Sequence, residues 1–321
     1  MKHDLSITIL LVAFFLASQY AGLFITSQYV SVEEYVDLET GEVKHNVTNV
    51  SDLPLGIERV EISQDFSWLY IMIAVLVGTM IVLLLVKFKQ RKVWKGWYFF
   101  SLVFIITFAL APFDPFGGTA AFVVSIILAF FKAFRSNFFV HNITEIFLYG
   151  GLAAMLVPIM NVFSAFVLLI AISIYDAIAV WQSKHMIKLA EFQSDSNVFA
   201  GLFVPYKSAN GSSKVMMKAP QANKISKKEP SEERLDSKRE KNKGEVRVSR
   251  AILGGGDIAF PLLFTGALMQ SVGFLRAAVV PPFVALALFG LLYFSKKGKF
   301  YPAMPFISVG CIVGYLVVIL L

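Results

Sequence analysis

Nine long apolar runs, each of 17 to 22 residues, dominate this chain. An α-helix of about 20 residues spans the hydrocarbon core of a bilayer, and a helix satisfies its own backbone hydrogen bonds there. The runs occupy residues 5–26, 67–86, 97–113, 117–133, 143–160, 161–182, 251–270, 274–294 and 302–321. Only 16% of the residues are charged, against roughly 25% in soluble domains. The sequence therefore predicts an all-α polytopic membrane protein with nine transmembrane helices.

Basic residues concentrate in alternate loops between these runs. Lys and Arg number five in residues 87–97, fifteen in 183–250 and three in 295–300. By contrast, Arg276 is alone between the seventh and eighth runs, and residues 28–66 carry nine carboxylates. Because basic loops remain in the cytoplasm, we expect a cytoplasmic N-terminus, an extracytoplasmic C-terminus and an external acidic loop at 28–66. This pattern explains the net charge of +7 without a nucleic-acid partner.

One long hydrophilic segment, residues 183–250, divides the apolar part of the chain. Residues 208–245 are rich in Lys, Ser and Glu, which is the composition of a disordered cytoplasmic linker. The segment separates a six-helix N-terminal part, residues 1–182, from a three-helix C-terminal part, residues 251–321. Residues 244–249 (GEVRVS) alternate apolar and polar side chains, which is a weak strand signal.

The ninth run contains Gly310 and Gly314 in a GxxxG spacing. Small residues at this spacing let two helices approach closely in lipid. Within a bundle of nine helices, we expect this pair to serve internal packing.

Two aspartates lie well inside apolar runs. Of the 22 carboxylates, 18 fall in the N-terminal tail, the acidic loop and the linker. Asp114 belongs to an external turn, and Glu145 lies about two residues into the fifth run, where it is expected to reach the membrane interface. Asp176 and Asp257 have no such position available. An ionisable side chain near mid-membrane costs at least about 2.5–3.5 kcal/mol, so both are candidates for a functional site.

The positions of these two aspartates predict a facing pair. Asp176 lies six residues before the end of the sixth run, and Asp257 six residues after the start of the seventh. Both ends face the cytoplasm in the predicted orientation, which places each carboxylate about 9 Å inside the edge. Gly254, Gly255 and Gly256 permit close backbone approach and unwinding just before Asp257. Unwound backbone in lipid needs protein or water around it, so we expect a water-accessible crevice there.

Two neighbouring carboxylates favour the chemistry of an aspartyl protease. They cannot both ionise easily, so the pair shares a proton. One carboxylate activates water as a base while its protonated partner polarises a carbonyl. This chemistry needs no metal or cofactor, and the sequence contains no HExxH zinc pair, GxSG turn or Walker loop. The residues alone leave open two alternatives, hydrogen bonding that only holds the bundle together, and ion relay in a channel or proton-coupled transporter.

The same residues resemble the motifs of the presenilin and signal peptide peptidase family, the GxGD intramembrane aspartyl proteases. The chain looks most like the archaeal presenilin homologues. Tyr175-Asp176 is similar to the YD motif of the sixth helix, and residues 254–257 (GGGD) to GxGD on the seventh. Residues 302–305 (PAMP) resemble the PALP motif of the ninth helix, with Met304 where the family has leucine. The charge distribution favours the presenilin orientation over that of signal peptide peptidases.

The resemblance implies an integral, multi-pass protein, expected in the cell membrane, that cleaves transmembrane segments of other membrane proteins. Its partners would be these substrates and the lipid bilayer, with no accessory subunit evident. Asp176 and Asp257 would be the catalytic dyad, and an unwound substrate would pair with a strand at 246–248 by β-augmentation. The residues implied to shape the substrate site are Tyr175, Gly254, Gly255, Gly256, Pro302, Ala303, Met304 and Pro305. Helix initiation is an alternative explanation for Pro302.

Overall fold

Helices form most of the fold. The computed structural model describes residues 5–36, 43–49, 54–57, 63–88, 90–135, 137–180, 199–207, 248–295 and 301–321. Within them the α-helices are α1 (Leu5–Ser27), α2 (Ser67–Lys87), α3 (Arg91–Leu110), α4 (Thr119–Phe134), α5 (Phe138–Leu156), α6 (Val162–Ile178), α7 (Gly255–Ala277), α8 (Val280–Phe294) and α9 (Met304–Leu320). Two antiparallel strand pairs accompany them, β1 (Val30–Val36) with β2 (Val43–Asn49), and β3 (Gly201–Lys207) with β4 (Val248–Gly254).

The predicted all-helical fold is confirmed, and each apolar run corresponds to one helix. Five helical segments of the described chain are long and apolar enough to cross a membrane, namely Leu5–Ser27, Gln64–Lys87, Lys92–Phe113, Phe138–Ile159 and Gly255–Ala277. The remaining four are apolar but shorter, at 15 to 17 residues. A count of nine crossings, and the direction of each, therefore stay predictions.

Four helix starts differ by four residues or more from the predicted runs. Helix α3 begins at Arg91 rather than at 97 and α8 at Val280 rather than at 274, and the other two are those of α5 and α7. The fifth run was placed at 143, but α5 begins at Phe138 because the Asn137 side chain caps it, accepting from the backbone N–H of Val140 at 2.9 Å. The seventh run was placed at 251, but residues 251–254 belong to β4 and α7 begins at Gly255. A short apolar stretch is equally compatible with a buried strand and a buried helix, so hydropathy alone misplaced this boundary.

The segments that join the helices contain structure that was not predicted. The β1–β2 hairpin lies in the acidic loop and packs against α7. Strand β3 lies inside residues 183–250, the predicted linker, and packs against α5 and α1. The most linker-like part, residues 208–245, falls outside the described residues, so its predicted disorder stays a prediction. The alternation at 244–249 overlaps the start of β4, whereas residues 246 and 247 are not described.

Helix α7 lies at the centre of the bundle. It packs against α1, α5, α6, α8 and α9, and its middle, from Pro261 to Gln270, is buried throughout. A helix that is apolar on every side is suited to such a position. Helix α2 has the opposite character, since it buries only Ser67 and Ile71 among its residues. The bundle is therefore organised around the helix that carries Asp257.

The GxxxG pair of α9 packs inside the bundle, as expected. A Cβ atom added at Gly310 would lie 2.8 Å from the Cα of Val284, and one at Gly314 would lie 3.0 Å from the Cα of Val280. Both contacts are with α8, so the glycines let the two backbones approach closely.

Glu145 is buried inside the bundle, and its expected reach to the membrane interface stays a prediction. It lies in the eighth position of α5 and is fully buried, because α5 begins earlier than its apolar run. Its Oε1 atom lies 2.5 Å from Nζ of Lys132 on α4, which is also buried. The opposite charge of Lys132 compensates the cost of removing the carboxylate from water.

We predict that Gly310→Ala lowers stability by about 1–3 kcal/mol, because the new methyl group overpacks a close helix contact. Gly78→Ala is the matched control, since no described atom lies within 4 Å of a Cβ atom at Gly78. Thermal unfolding of both variants in detergent checks the difference. Equal melting temperatures for the two would contradict the contact between α8 and α9.

We also predict that Glu145→Leu destabilises the fold by about 3–5 kcal/mol, because it leaves the Lys132 ammonium group buried without its counter-charge. The double variant Lys132→Leu/Glu145→Leu should recover much of that loss, because two apolar side chains replace the pair. A double variant that melts below the single one would show that the pair does not act as a unit.

Candidate active site

Asp176 and Asp257 lie at the adjoining ends of two packed helices. Helices α6 and α7 are in contact. Asp176 is two residues before the last residue of α6, Ile178, and Asp257 is two residues after the first residue of α7, Gly255. The expected offset of six residues is therefore wrong for both, because α6 ends before its apolar run does and residues 251–254 form part of β4, but the offsets are still equal. Both side chains are half-buried, and the charge of Asp176 acts on Asp257.

The PAMP motif contacts Asp176 directly. The backbone N–H of Met304, the first residue of α9, donates to Oδ2 of Asp176 at 3.1 Å. The first N–H groups of a helix have no partner within the helix, and a carboxylate is favourable at that end. Pro302 is buried, and Pro305 is the second residue of α9, where its missing N–H costs nothing. The motif thus begins a helix that points its first donor at Asp176.

Asp257 folds back onto the junction between β4 and α7. Gly254 is the N-cap residue of α7, with extended backbone angles of φ −65° and ψ 148°. Asp257 is the third helical residue, the position from which an acidic side chain reaches back to the N-cap. A Cβ atom at Gly254 would lie only 3.2 Å from Oδ2 of Asp257. The carboxyl group therefore lies beside the point where the strand becomes a helix.

The three glycines before Asp257 differ in their surroundings. A Cβ atom at Gly255 would lie 2.8 Å from Oη of Tyr149, so only glycine lets α5 approach here. At Gly256 the nearest atom would be 3.6 Å away, and this residue is exposed. At Gly254, the space for a side chain is limited by the Asp257 carboxyl group itself. The predicted crevice beside Asp257 stays a prediction, and exposed Gly256 is on the side where it would open.

Tyr175 and Ala303 directly precede Asp176 and Met304, the two residues that are joined by the hydrogen bond described above. Tyr175 is half-buried, and it projects about 100° around α6 from Asp176, because the helix has 3.6 residues per turn. Ala303 is the N-cap residue of α9 and is half-buried as well. Both lie next to residues of the site, and their roles in shaping it stay predictions.

Two polar contacts beside the aspartates were not predicted. The hydroxyl groups of Ser173 on α6 and Ser308 on α9 lie 2.7 Å apart, one turn from Asp176 and from Met304 respectively. The buried side chain of Gln19 on α1 donates to the carbonyl oxygen of Ile258 at 2.8 Å. Each of these residues interrupts an apolar run, which was the signal in the sequence. Their partners are 135 and 239 residues away, so no local pattern could identify them.

Strands β3 and β4 form a sheet with one face against the bundle. Leu202 and Val204 of β3 are buried together with Ala251 and Leu253 of β4, whereas Ile252 is 40% exposed. This alternation is typical of a strand with one covered face. Strand β4 therefore enters the site as a folded element that ends at Gly254.

The hydrogen bonds of Phe203 show which way the edge groups of this sheet point. Its N–H donates to Oδ1 of Asn142 at 3.1 Å, and its carbonyl oxygen accepts from Nδ2 at 3.0 Å, so both groups point away from β4. Opposite residues in antiparallel strands alternate between bonded and non-bonded pairs. Phe203 and Ile252 face each other, so the backbone groups of Ile252 point outward as well. Among the described strands, none pairs with that outer edge of β4.

Metal ligands do not gather at this site. Within the described part of the chain, no three His, Cys, Asp or Glu side chains converge as a possible metal centre. The two aspartates, the N–H of Met304 and the outer edge of β4 are the groups that the site offers for chemistry.

Comparison with known proteins identifies the family. The family model of signal-peptide peptidase, presenilin aspartyl protease matches residues 59–321. Two solved structures of a presenilin family intramembrane aspartate protease, in P2 and C222 space groups, are similar in fold, each with 16% identity and a TM-score of 0.58. The alignments cover 97% of this chain and 96% of the first structure, and 98% of both chains for the second. No curated protein matches. The family model spans most of the sequence, and this multi-pass integral membrane protein therefore belongs to the signal-peptide peptidase and presenilin family of aspartyl proteases.

Proposed function

We propose that this chain hydrolyses peptide bonds within transmembrane segments of other membrane proteins, with Asp176 and Asp257 as the catalytic dyad. The observation that carries the proposal is the position of these two carboxyl groups at the adjoining ends of α6 and α7, within electrostatic reach of each other. Two like charges this close favour a state in which one carboxyl group keeps its proton. The pair then contains one acid and one base.

The reaction follows from that shared proton. The ionised carboxylate takes a proton from a water molecule as the water oxygen forms a bond to the scissile carbonyl carbon. The protonated partner gives its proton to the carbonyl oxygen, and a tetrahedral diol forms. The carbon–nitrogen bond breaks as a proton passes to the nitrogen, which leaves a carboxylic acid and an amine. No metal or cofactor takes part in this sequence of steps.

The N–H of Met304 orients Asp176 for this chemistry. Its hydrogen bond occupies Oδ2, which leaves Oδ1 for water, substrate or Asp257. The hydrogen bond between Ser173 and Ser308 joins the same two helices one turn away. We propose that PAMP serves the dyad in this way, so that Met304 acts through its backbone and tolerates exchange with leucine.

The substrate pairs with the outer edge of β4. A helical segment hides its amide groups, so it must unwind at the cut, and an extended segment can add to a free strand edge. The N–H and carbonyl groups of Ile252 point toward that edge, and by the same alternation so do those of Val248, Arg250 and Gly254. Since Gly254 is next to the Asp257 carboxyl group, a strand paired with β4 leads directly to the dyad.

The proposal includes the orientation of the chain in the membrane and its division into two membrane parts. The N-terminus is cytoplasmic and the C-terminus extracytoplasmic, which places the dyad toward the cytoplasmic side, as the distribution of Lys and Arg predicts. Residues 1–182 and 251–321 form the two membrane parts, and residues 183–250 connect them in the cytoplasm.

We predict that Asp176→Asn and Asp257→Asn each lower the cleavage rate by at least about 10²-fold, because either change removes the acid or the base. The measurement is product formation from a transmembrane peptide in detergent.

Asp114→Asn is the matched control. The Asp114 carboxylate accepts from the N–H groups of Ala121 and Phe116, which hold its pKa below the usual value, but it lies in an exposed turn between α3 and α4. Activity that survives in either dyad variant would refute the dyad, and carboxylate-dependent ion flux without product would favour a channel.

We predict that Ile252→Pro and Val248→Pro slow cleavage, because each removes a donor that points to the outer edge of β4 without breaking a bond to β3. The matched control is Pro205→Ala on the opposite strand, which should leave the rate unchanged. Rates are compared at equal amounts of folded protein. Normal turnover in both proline variants would count against pairing at this edge, while leaving the dyad intact.

A further inference from the structure

Asn142 of α5 occupies the place of a neighbouring strand beside β3. Its side chain is 1% exposed, and its amide group satisfies both the N–H and the carbonyl oxygen of Phe203. The same Nδ2 also donates to the carbonyl oxygen of Phe138 at 3.1 Å, so the side chain is held by its own helix. An amide side chain offers an acceptor oxygen and two N–H donors. The amide group of Asn142 uses them for the three hydrogen bonds just described.

The other outward groups of β3 are also covered. Nε2 of His141 donates to the carbonyl oxygen of Gly201 at 2.8 Å. Just before the strand, the hydroxyl group of Tyr98 donates to the carbonyl oxygen of Phe199 at 3.2 Å. Pro205 faces the same edge and has no N–H to offer. Side chains of α5 and α3 therefore bind the first part of the outer edge of β3, whereas within the described residues no strand pairs with the outer edge of β4.

Helix α5 is a rigid support for this contact. The rings of Phe138 and His141 pack on the ring of Phe203, with centroids 5.8 and 4.8 Å away. One turn beyond His141, the buried pair of Glu145 and Lys132 ties α5 to α4. The next turn brings Tyr149 against Gly255. The same face of α5 thus contacts β3 and the first residue of α7.

We propose that Asn142 is a positioning residue that fixes the β3–β4 sheet against α5 and thereby selects which peptide bond meets the dyad. This rests on the proposed function. Strand β4 continues into Gly254 and Asp257, and β3 holds β4 through bonded pairs such as Leu202–Leu253 and Val204–Ala251. When Asn142 holds Phe203, the substrate edge of β4 has one position relative to Asp257. Without that contact the sheet changes its position relative to the dyad, and a paired substrate is cut at more than one position.

The test compares Asn142→Leu with the matched control Asn137→Ala. Both changes remove an asparagine that binds backbone, but Asn137 is the exposed N-cap residue of α5, and its side chain accepts from the N–H of Val140 in its own helix. Hydrogen exchange of peptides that contain residues 199–207 reports the sheet, and mass spectrometry of cleavage products reports the cut positions. In Asn142→Leu we expect the amide hydrogens of residues 199–207 to exchange about tenfold faster, because the net free energy of one hydrogen bond corresponds to a factor of that order. We also expect at least one additional cut, displaced by two residues, because only a two-residue slip keeps the side chains on the same faces. Asn137→Ala should show neither change.

Separate outcomes decide the two proposals. Unchanged exchange and unchanged cut positions in Asn142→Leu would overturn the positioning role. A wild-type chain that makes no product would refute the proposed protease function, and the exchange result would then decide alone whether Asn142 holds the sheet. If Asn142→Leu does not fold, Asn142→Asp replaces it. This variant keeps the acceptor for the N–H of Phe203 but loses the donor for its carbonyl oxygen, and it should give a smaller change in the same two readouts.

Discussion

Lipid offers no hydrogen-bond partners, so every backbone N–H and C=O group inside a membrane must be satisfied by the protein itself. This constraint explains why the described chain is helical almost everywhere, and why its exceptions are informative. The regular helix stops at the junction of β4 and α7, and there other groups take over as partners. Strand β3 pairs with β4, Asn142 and His141 bind the far edge of β3, and the Asp257 carboxyl group lies against Gly254. The candidate active site is located where the chain leaves helical pairing, and among the described strands none pairs with the outward backbone groups of β4. A site for peptide hydrolysis needs such a place, because a substrate must expose its own backbone there.

The buried charges of this protein fall into two kinds, and the difference separates structure from chemistry. Lys132 and Glu145 have opposite charges 2.5 Å apart and are almost fully buried, so each cancels the cost of burying the other. Asp176 and Asp257 have the same charge, and both are half-buried. Like charges do not offset each other's cost of removal from water, so stability alone does not explain why the two aspartates are present. Each instead faces the N-terminus of a helix. Asp176, near the end of α6, accepts from the first N–H of α9, and Asp257 lies in the first turn of α7, and the dipole at the start of a helix favours negative charge. Within the part of the chain that the structure describes, neither acid forms an ion pair with a basic side chain.

Much of the helical fold, and the two acids, could be predicted from the sequence because both depend on local signals. An apolar run of about 20 residues has one solution in lipid, and an aspartate within such a run stands out by its cost. Residues 251–254 were misread because Ala251 and Leu253 are buried in a strand as deeply as they would be in a helix. The ion pair of Glu145 with Lys132 was not predicted, because the two residues belong to different apolar runs. Strand β3 was not predicted because it lies within a hydrophilic segment, and its side-chain hydrogen bonds with Asn142 connect residues 61 positions apart. Contacts of this kind depend on how helices assemble, and no spacing along the chain contains them.

The asymmetry of the small sheet limits how a substrate can be recognised. A two-stranded sheet has two outer edges, but Asn142 and His141 of α5 bind one of them, so in the proposed function a substrate strand pairs with the other edge, that of β4. Side chains of that added strand would alternate as those of β4 do. One set would follow the buried face of Ala251 and Leu253, where space is limited by the bundle, and the other would follow the exposed face of Ile252. Selectivity should therefore come from every second residue of the substrate, with small or flexible apolar side chains favoured on the covered face. Main-chain pairing contributes affinity without regard to sequence, so in the proposed pairing the covered face is the part that discriminates among substrates.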